Sequence, residues 1–470
     1  MIKIGVFLMS LGLGYYVASA LQWFGYKLER AIFHHTRPIW HLYFLLIPVC
    51  LFMIACVLEI ELLGFGVAIL YILALFVWQK SLSHKLVFTP KIKRFFGILL
   101  IFAVFSGIFA NEFTALFYIF MNLLFTILIS NLIEMIIWQK FKNKATQKLA
   151  LIPNLKVILI TASYGKTSMK NFLFHLLKDD FSVYKTPRSV NTITGILKDI
   201  NENLPTDTQI YIAEAGAREK GDIADIAKFL SPQLVIIGEI GLSHIEYFKD
   251  IKFTRQTKLE ALESKRLEMA FVHSSTLLTS GPNIRIYDQN ITNISSDLNG
   301  ICFEMQNEKF QSNLLGKFNA QNLAAVISVA KFLQVENLIQ KVQNLPSVEH
   351  RLQKIQANGK FIIDDSFNGN FNGMKTSYEL AKTYQGRKVL LTPGIMEGDK
   401  SQNIELSKII NDCFDLVVIT SRLNEKELKT HLNKPKVLNL FDKNDMQNFL
   451  AKNTEPNDLI LFSNDAPSFM

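Results

Sequence analysis

Cysteine is scarce in this chain: four of the 470 residues are cysteine, and no two of them have the C-x-x-C spacing of a metal site. Cys50 and Cys56 lie in one apolar run, whereas Cys302 and Cys413 are isolated in the sequence. This pattern excludes a disulfide framework and a paired-cysteine metal site. We expect the four thiols to be buried or chemically inert.

Charged residues are also few, at 19% of the chain, while 49% of the residues are hydrophobic and 37 are phenylalanine. Such a composition is too apolar for a typical wholly soluble protein. The excess lies in five almost uncharged runs, the fourth of them short, which a signal peptide does not explain. We therefore predict a multi-span α-helical membrane domain of about five transmembrane helices over residues 1–139. The runs lie near residues 4–24, 41–58, 62–78, 95–110 and 114–133.

The loops between these runs alternate in charge. The first loop, the third loop and the exit from the last run are basic, whereas the second loop carries Glu59 and Glu61 and the fourth carries only Glu112. Because basic loops stay in the cytoplasm, we predict an outside N-terminus, five crossings of a bacterial inner membrane and a cytoplasmic remainder. Anionic lipid headgroups then account for the net charge of +9 without a nucleic-acid partner. The basic residues are Lys27, Arg30, Arg37, Lys80, Lys85, Lys91, Lys93, Arg94, Lys140, Lys142, Lys144 and Lys148.

Beyond a basic connector at residues 140–153, short apolar runs alternate with helical stretches. This alternation is typical of an α/β fold with parallel sheets. A break at residues 346–350 divides the soluble part into two segments, 140–347 and 348–470. A cleft between two such domains suits a ligase with two substrates. The predicted strands are 157–160, 209–213, 233–238, 360–364, 388–392, 415–420 and 458–462.

The segment from Thr161 to Ser168 looks like a phosphate-binding loop, because it joins a buried strand to a helix and contains Gly-Lys-Thr. There the first-turn amides and the helix dipole face a phosphate chain. Lys166 is predicted to reach the β- and γ-phosphates, and Thr167 to bind magnesium. Such loops usually begin with glycine, whereas Ala162 stands here, so a chance turn before an ordinary helix is the alternative. The predicted nucleotide-binding residues of the loop are Ser163, Tyr164, Gly165, Lys166, Thr167 and Ser168.

Further motifs follow the loop in a fixed order. Together with the loop they resemble the Mur ligases, and most closely the members that add D-alanyl-D-alanine to UDP-N-acetylmuramoyl tripeptide. The resemblance covers roughly residues 150–470 and does not extend to residues 1–150. It implies a P-loop Mur-ligase central domain over 140–347 and a Rossmann-like C-terminal domain over 348–470. The motifs are TASYGKTS at 161–168, RSVNTITG at 188–195, AEAGAREKGDIA at 213–224, GLSHIEYF at 241–248, TKLEAL at 257–262, GKFNAQNLAA at 316–325, HRL at 350–352 and DDSFNGNFNGM at 364–374.

The resemblance implies an ATP-dependent amide ligase of peptidoglycan precursor synthesis. In this family ATP phosphorylates a peptide carboxylate, an amine attacks the acyl phosphate, and phosphate leaves; charge neutralisation, here by two magnesium ions, is central to such chemistry. The family's soluble first domain, which binds uridine diphosphate, is replaced here by the membrane domain. The substrate is therefore either the soluble UDP-linked tripeptide or a lipid-linked precursor. Another amide ligase, acting on folate or glutamate, and a membrane-bound nucleotide-binding scaffold are the alternatives.

The resemblance also implies roles for individual residues. Glu214 matches the residue that binds magnesium beside the loop threonine, and His244 matches the histidine that holds a second magnesium. Lys258 matches a lysine that this family often carries as a carbamate, formed from a neutral amine and carbon dioxide. The alternatives are a solvated carboxylate, a structural histidine and a surface lysine. The implied catalytic residues are Lys166, His244, Lys258 and Arg351, and the implied magnesium ligands are Thr167, Glu214, His244 and Lys258.

The remaining implied residues contact the nucleotide and the substrates. Asn319 and Asn322 are three apart at a helix start, so both can face the adenine end of ATP; helix capping is the alternative for Asn319. Arg351 is implied at the phosphates, and Asp365 meets the nucleotide from the C-terminal domain. Since neighbours in a strand point to opposite faces, Asp364 and Asp365 are not expected to form an acid/base pair. The residues implied to contact the substrates are Asn191, Asn368 and Asn370, although a turn would also explain the last two.

Overall fold

The computed structural model describes residues 1–33, 37–82, 85–217, 219–241, 250–367, 369–396 and 400–464. The chain divides into two compact units, Met1–Asn143 and Lys144–Met470. Two residues with predicted roles, His244 and Asn368, lie outside the described residues. The finer division into domains at 139/140 and 347/348 stays a prediction.

The first unit is built from apolar helices. Five segments are long and apolar enough to cross a membrane, as the five predicted runs require, and the crossing itself stays a prediction. The fourth begins earlier than predicted because Thr89 caps it, its Oγ1 accepting a hydrogen bond from Ile92 N at 3.3 Å, and Pro90 starts its first turn. The helices are α1 (Ile2–Trp23), α2 (Leu28–Phe33), α3 (Ile39–His41), a π-helical turn (Leu42–Leu46), α4 (Ile47–Val57), α5 (Glu61–Ser81), α6 (Pro90–Phe109) and α7 (Ala115–Leu151).

Helix α1 is the most buried of the five apolar segments. Its Gly14 allows a close helix contact, since a Cβ there would lie 2.1 Å from Leu99 Cδ2 of α6. A buried polar contact joins the same two helices to α7. Asn122 of α7 donates hydrogen bonds to Ser10 Oγ at 2.9 Å and to Ser106 Oγ at 2.8 Å. These bonds fix how the three helices pack in a core that is largely apolar.

The second unit begins with a six-stranded parallel sheet in the order β2-β3-β1-β4-β5-β6. Its central strand is buried on both faces, as is typical of a parallel strand covered by helices on each side. The carboxyl ends of the strands meet at one edge, where Glu214 pairs in register with Ile160. The elements are β1 (Lys156–Thr161), α8 (Lys166–Leu177), β2 (Val183–Lys185), α9 (Ile193–Glu202), β3 (Ile210–Glu214), α10 (Asp222–Leu230), β4 (Leu234–Ile237), α11 (Ile251–Leu259), β5 (Met269–Val272) and β6 (Ile284–Ile286).

An antiparallel three-stranded sheet and two helices follow. Phe303 of β8 and Phe310 of β9 stack with ring centroids 5.5 Å apart and share one apolar core with the following helix. This sheet therefore shares the apolar core on one face of the six-stranded parallel sheet. The elements are β7 (Ile291–Asp297), β8 (Gly300–Met305), β9 (Glu308–Ser312), α12 (Asn319–Phe332) and α13 (Leu338–Gln343).

The last sheet has the order β10-β11-β15-β12-β13-β14, with an antiparallel edge strand and otherwise parallel neighbours. Separate apolar cores cover its two faces, so the sheet is doubly wound. All seven predicted strands are present with bounds within one residue: they are β1, β3, β4, β11, β12, β13 and β15. The sequence did not predict the other eight strands, β2, β5 to β10 and β14. The elements are β10 (Gln353–Ala357), β11 (Lys360–Asp365), α14 (Phe371–Lys382), β12 (Lys388–Thr392), α15 (Lys400–Cys413), β13 (Leu416–Ile419), α16 (Glu425–His431), β14 (Lys436–Asn439), α17 (Met446–Asn453) and β15 (Leu459–Ser463).

Candidate active site

The predicted phosphate-binding loop lies between β1 and α8. Gly165 precedes the first helical residue and has a left-handed φ of 75°, a conformation that favours glycine. A Cβ at Gly165 would also lie 2.4 Å from Asn322 Oδ1 of α12. Both the backbone conformation and the close approach of α12 therefore require glycine at this position.

Ala162, the departure from the usual loop sequence, is fully buried. It is not among the residues with positive φ, so its backbone does not require glycine. The missing Cβ is instead at Gly238 after β4, where an added Cβ would lie 2.8 Å from Ala162 Cβ and 2.7 Å from Met169 Cε. Gly238, at the end of a neighbouring strand, thus leaves the space that the Ala162 side chain occupies.

Lys166 folds back onto the loop. Its Nζ donates hydrogen bonds to Ala162 O at 2.8 Å and Ser163 O at 3.1 Å. Burial lowers the pKa of its ammonium, an effect that the carboxylate of Glu214 opposes. The ammonium thus lies directly at the loop that would receive a phosphate chain.

Glu214 ends β3 and is 1% exposed. Its Oε2 accepts a hydrogen bond from Thr167 Oγ1 at 3.0 Å, and its Oε1 accepts one from Asn191 Nδ2 at 3.2 Å. Lys170 of α8 forms a buried ion pair with the same carboxylate, with Nζ 3.1 Å from Oε2. The structure thus brings together Thr167 and Glu214, and it places Asn191 against the carboxylate.

These oxygens fit magnesium. Magnesium takes oxygen ligands and usually binds through one or two carboxylates together with substrate phosphates. In the described ranges no group of three or more His, Cys, Asp and Glu side chains could hold a metal. Thr167 and Glu214 would therefore supply the protein ligands described here, and phosphate oxygens and water would complete the shell.

Lys258 of α11 is 2% exposed, which is inconsistent with the surface-lysine alternative. Burial, together with the charge of Lys166, lowers the pKa of its ammonium to about 7. The carboxylates of Glu260, Asp222 and Glu214 oppose this shift. A substantial fraction of the Lys258 amine is therefore neutral near neutral pH. The neutral amine is the form that reacts with carbon dioxide.

Asn319 and Asn322 start α12, and the helix-capping alternative for Asn319 is wrong because Phe318 occupies the cap position. Asn319 Nδ2 donates to Leu315 O at 2.7 Å, and its Oδ1 accepts from Asn322 Nδ2 at 2.9 Å. The pair is therefore ordered by its own hydrogen bonds. Its contact with Gly165 places the second amide at the phosphate loop.

Arg351 links the last sheet electrostatically to the loop. Burial lowers the pKa of its guanidinium, and the carboxylates of Asp365 and Glu214 oppose the shift. Its charge also lowers the pKa of Lys166. Its Nη1 donates a hydrogen bond to Phe367 O. Arg351 thus lies close enough to the phosphate loop to lower the pKa of Lys166, although the two residues are far apart in the sequence.

Asp364 and Asp365 end β11 and have different partners, as predicted. Asp364 Oδ2 lies 2.8 Å from His350 Nδ1, and Asp365 Oδ1 accepts a hydrogen bond from Leu352 N at 3.2 Å. His350 and Leu352 have left-handed φ angles of 61° and 49°. The two aspartates therefore hold the segment that carries Arg351 in a conformation that non-glycine residues rarely adopt.

Asn370 has a structural contact that accounts for its residue type. It is the N-cap of α14, and its Oδ1 accepts a hydrogen bond from Gly373 N at 2.8 Å. A contact between Asn370 and a substrate stays a prediction.

Sequence reasoning missed three polar residues near these side chains. Lys170 pairs with Glu214, and His350 pairs with Asp364. Glu260 accepts hydrogen bonds from the backbone at the start of α10, from Gly221 N at 2.8 Å and Ala224 N at 3.1 Å. The HRL motif was a signal for His350, but no sequence pattern distinguishes Lys170 from a solvated helix lysine.

Part of this chain is similar in sequence to known proteins. Residues 160–330 match the Mur ligase middle domain. The chain is 25% identical over 332 residues to the UDP-N-acetylmuramoyl-tripeptide–D-alanyl-D-alanine ligase of Bacillus subtilis, covering 65% of this chain and 72% of that protein. It is 27% identical to the protein of the same name from Buchnera aphidicola (strain Bp), covering 58% and 62%. The chain thus spans about two thirds of the length of these relatives.

Solved structures share the fold. MurF ligase from Thermotoga maritima, determined in complex with ADP, superposes with a TM-score of 0.60 at 24% identity, covering 70% of this chain and 80% of that one. The Acinetobacter baumannii UDP-N-acetylmuramoylalanyl-D-glutamyl-2,6-diaminopimelate–D-alanyl-D-alanyl ligase superposes with a TM-score of 0.61 at 20% identity, covering 69% and 76%. The predicted Mur-ligase fold is therefore confirmed.

Proposed function

We propose that this chain, a MurF-like Mur ligase, joins D-alanyl-D-alanine to UDP-N-acetylmuramoyl tripeptide at the expense of ATP, in peptidoglycan precursor synthesis. The observation that carries this proposal is the arrangement around the phosphate loop. Thr167 and Glu214 share a hydrogen bond of 3.0 Å. The Glu214 carboxylate lies close enough to Lys166, Lys258 and Arg351 to oppose the lowering of their pKa by burial. Such a set suits phosphoryl transfer, which depends on positioning and charge neutralisation.

The first step is transfer of the γ-phosphoryl group to the terminal carboxylate of the peptide, which yields ADP and an acyl phosphate. The loop amides and the start of α8 receive the phosphates. Lys166 exchanges its two backbone acceptors for phosphate oxygens. Magnesium, held by Thr167 and Glu214, supplies positive charge to the phosphate oxygens when it is bound. Arg351 adds a planar donor fork suited to phosphate.

The second step is attack by the amine of the dipeptide on the acyl carbon. The new C–N bond forms, and the bond from carbon to the phosphate oxygen breaks, so that inorganic phosphate leaves with the electron pair. The amine releases a proton to solvent. The neutral amine of Lys258 would bond to the carbon of carbon dioxide and release a proton to solvent. The resulting carbamate would supply carboxylate-like oxygens that could hold magnesium. His244, assigned by the resemblance to a second magnesium, lies outside the described residues.

The C-terminal part contributes groups from a second direction. Asp365 would meet the nucleotide, and Asn319 and Asn322 would contact its adenine end. Asn191 supports Glu214 and faces the peptide, while Asn368 and Asn370 accept the incoming dipeptide. The doubly wound sheet that carries Asp365 supports these assignments, because such sheets bind ligands at the carboxyl ends of their strands.

The five apolar helices anchor the ligase in the bacterial inner membrane, with the N-terminus outside and the catalytic part in the cytoplasm. The alternating charge of the loops and the length of the five helices support this topology. Anionic lipids of that membrane are the proposed partners of the basic loops. The UDP-linked tripeptide is the proposed substrate, and a lipid-linked precursor is the alternative that the membrane unit favours.

The test is phosphate release by the full chain in detergent with ATP and magnesium. UDP-N-acetylmuramoyl tripeptide and D-alanyl-D-alanine are added separately and together, and the product is weighed by mass spectrometry. Release only with both substrates, with a product heavier by the dipeptide, is expected. Release with a folate and glutamate instead, or ATP binding without release, would overturn the assignment. Lys166→Ala is the matched inactive control.

A further inference from the structure

Lys170 is a buried lysine with no assigned role in the ligase reaction. It lies in α8 four residues after Lys166, and its side chain is 1% exposed. Its Nζ lies 3.1 Å from Glu214 Oε2 and also donates a hydrogen bond to Arg188 O. Lysine is almost never fully buried unless it is paired. The pairing partner here is a carboxylate proposed to bind magnesium.

We propose that Lys170 is a built-in counter-ion for Glu214, which holds this carboxylate in place without magnesium and weakens magnesium binding when the ion arrives. This inference rests on the proposed magnesium site. In the described part of the chain, Lys170 is the one cation within ion-pair distance of Glu214. Lys170 is therefore a positioning residue, distinct from the groups that would touch the nucleotide.

The metal-free state explains the need for such a residue. Glu214 is 1% exposed, and a buried carboxylate without a partner is strongly unfavourable. Thr167 and Asn191 donate to it, but both donors are neutral. The ammonium of Lys170 supplies the missing positive charge. It also anchors the carboxylate through a second bond to the backbone at Arg188.

With magnesium bound, Lys170 would have the opposite effect and weaken the binding of the ion. Oε2 is the oxygen of Glu214 that lies 3.0 Å from Thr167 Oγ1, and it is also the oxygen paired with Lys170. Magnesium bound by Thr167 and Glu214 would therefore compete with the Lys170 ammonium for Glu214 Oε2. Two like charges would then lie close together, which disfavours the bound ion. Removing Lys170 should destabilise the metal-free protein more than the metal-bound protein.

The experiment is thermal unfolding of the full chain in detergent, with either EDTA or ADP and magnesium present. Limited proteolysis of the soluble unit measures the unfolded fraction at each temperature. For Lys170→Met we expect a lower midpoint in EDTA and a much smaller loss with ADP and magnesium. The magnesium concentration that gives half of the protection should fall on the order of tenfold. The double variant Lys170→Met with Glu214→Gln should recover metal-free stability, because both charges are gone.

Lys341→Met is the matched control, since Lys341 forms an ion pair with Asp180 near the other end of α8. It should lower the midpoint equally in both conditions. An equal loss for Lys170→Met would show a purely structural role and overturn the inference while leaving the ligase assignment intact. Failure of ADP and magnesium to protect even the wild type would instead count against the proposed magnesium site. If Lys170→Met does not fold, Lys170→Gln is measured in the same way.

Discussion

Gly165 and Asn322 lie so close that a Cβ on the glycine would be 2.4 Å from Asn322 Oδ1. Gly165 also has a φ of 75°. For Gly165→Ala we therefore expect both backbone strain of about 1–2 kcal/mol and a steric displacement of α12. ATP binding, measured by equilibrium dialysis, should be lost or greatly weakened.

Gly221→Ala separates these two effects. Gly221 has a φ of 97° but nothing within 4 Å of an added Cβ. We expect a loss of stability of about 1 kcal/mol with ATP binding retained. Equal ATP affinity of Gly165→Ala and the wild type would contradict the role of this contact.

Ala162 and Gly238 form a complementary pair of small residues. An added Cβ at Gly238 would lie 2.8 Å from Ala162 Cβ. We expect Gly238→Ala to lower the free energy of unfolding by about 1–3 kcal/mol. Adding Ala162→Gly to this variant should recover part of the loss. A double variant no more stable than the single one, by denaturant unfolding, would show that the two methyl positions do not compete.

Lys258 predicts a pH dependence of stability. Burial lowers its pKa from 10.5 to about 7, so the unfolded chain binds more protons between these values. The cost of the buried ammonium is fully present below pH 7 and disappears as pH rises toward 10.5. Without added bicarbonate, wild-type stability should therefore rise with pH relative to Lys258→Met. A constant difference between the two proteins across this window would argue against the lowered pKa.

The lowered pKa of Lys258 also predicts that its amine forms a carbamate with carbon dioxide. Wild-type protein in ¹³C-bicarbonate at pH 8 should show a carbamate carbon by NMR, and the signal should be absent from Lys258→Arg. Magnesium and ADP should strengthen the signal if the carbamate binds the metal. A signal of equal strength in both proteins would place the modification on another amine.

Asn122 predicts a stability effect confined to the first unit. Asn122→Ala removes hydrogen bonds to Ser10 and Ser106 and should destabilise helix packing by about 1 kcal/mol. All four tryptophans lie in the first 143 residues, so their fluorescence follows this unit alone. Asn131→Ala, at an exposed position of α7, is the control. Equal midpoints for the two variants would contradict the structural role of the buried contact.

Strands buried on both faces were predictable because their apolar runs are continuous, as in β1 and β12. Most of the strands that were missed carry a weaker signal. β5 is an exception, because its four residues are apolar and buried. β2 has only three residues, and β7 alternates between partly buried and exposed polar residues. The antiparallel sheet of β7 to β9 is apolar on its inner side only, so no single run of its sequence predicts a core strand.

The candidate site was predictable where the chemistry is local. The loop from Ser163 to Thr167 is contiguous, so its sequence predicts its shape. The pairing of Lys170 with Glu214 depends on the packing of α8 beside β3, and that packing is not visible from the spacing of residues. Asn191 likewise gains its contact with Glu214 only when the two segments meet in the fold.

The left-handed residues on each side of Arg351 lower the stability of the fold, a cost that the proposed role of Arg351 at the phosphates would explain. His350 and Leu352 each hold a conformation that costs roughly 1–2 kcal/mol for a residue with a Cβ. Selection for heat resistance alone would favour glycine or asparagine at these positions. Selection for ligation would oppose this change, because a looser backbone would aim the guanidinium less accurately. Selection for stability and selection for activity would therefore favour different residues beside Arg351.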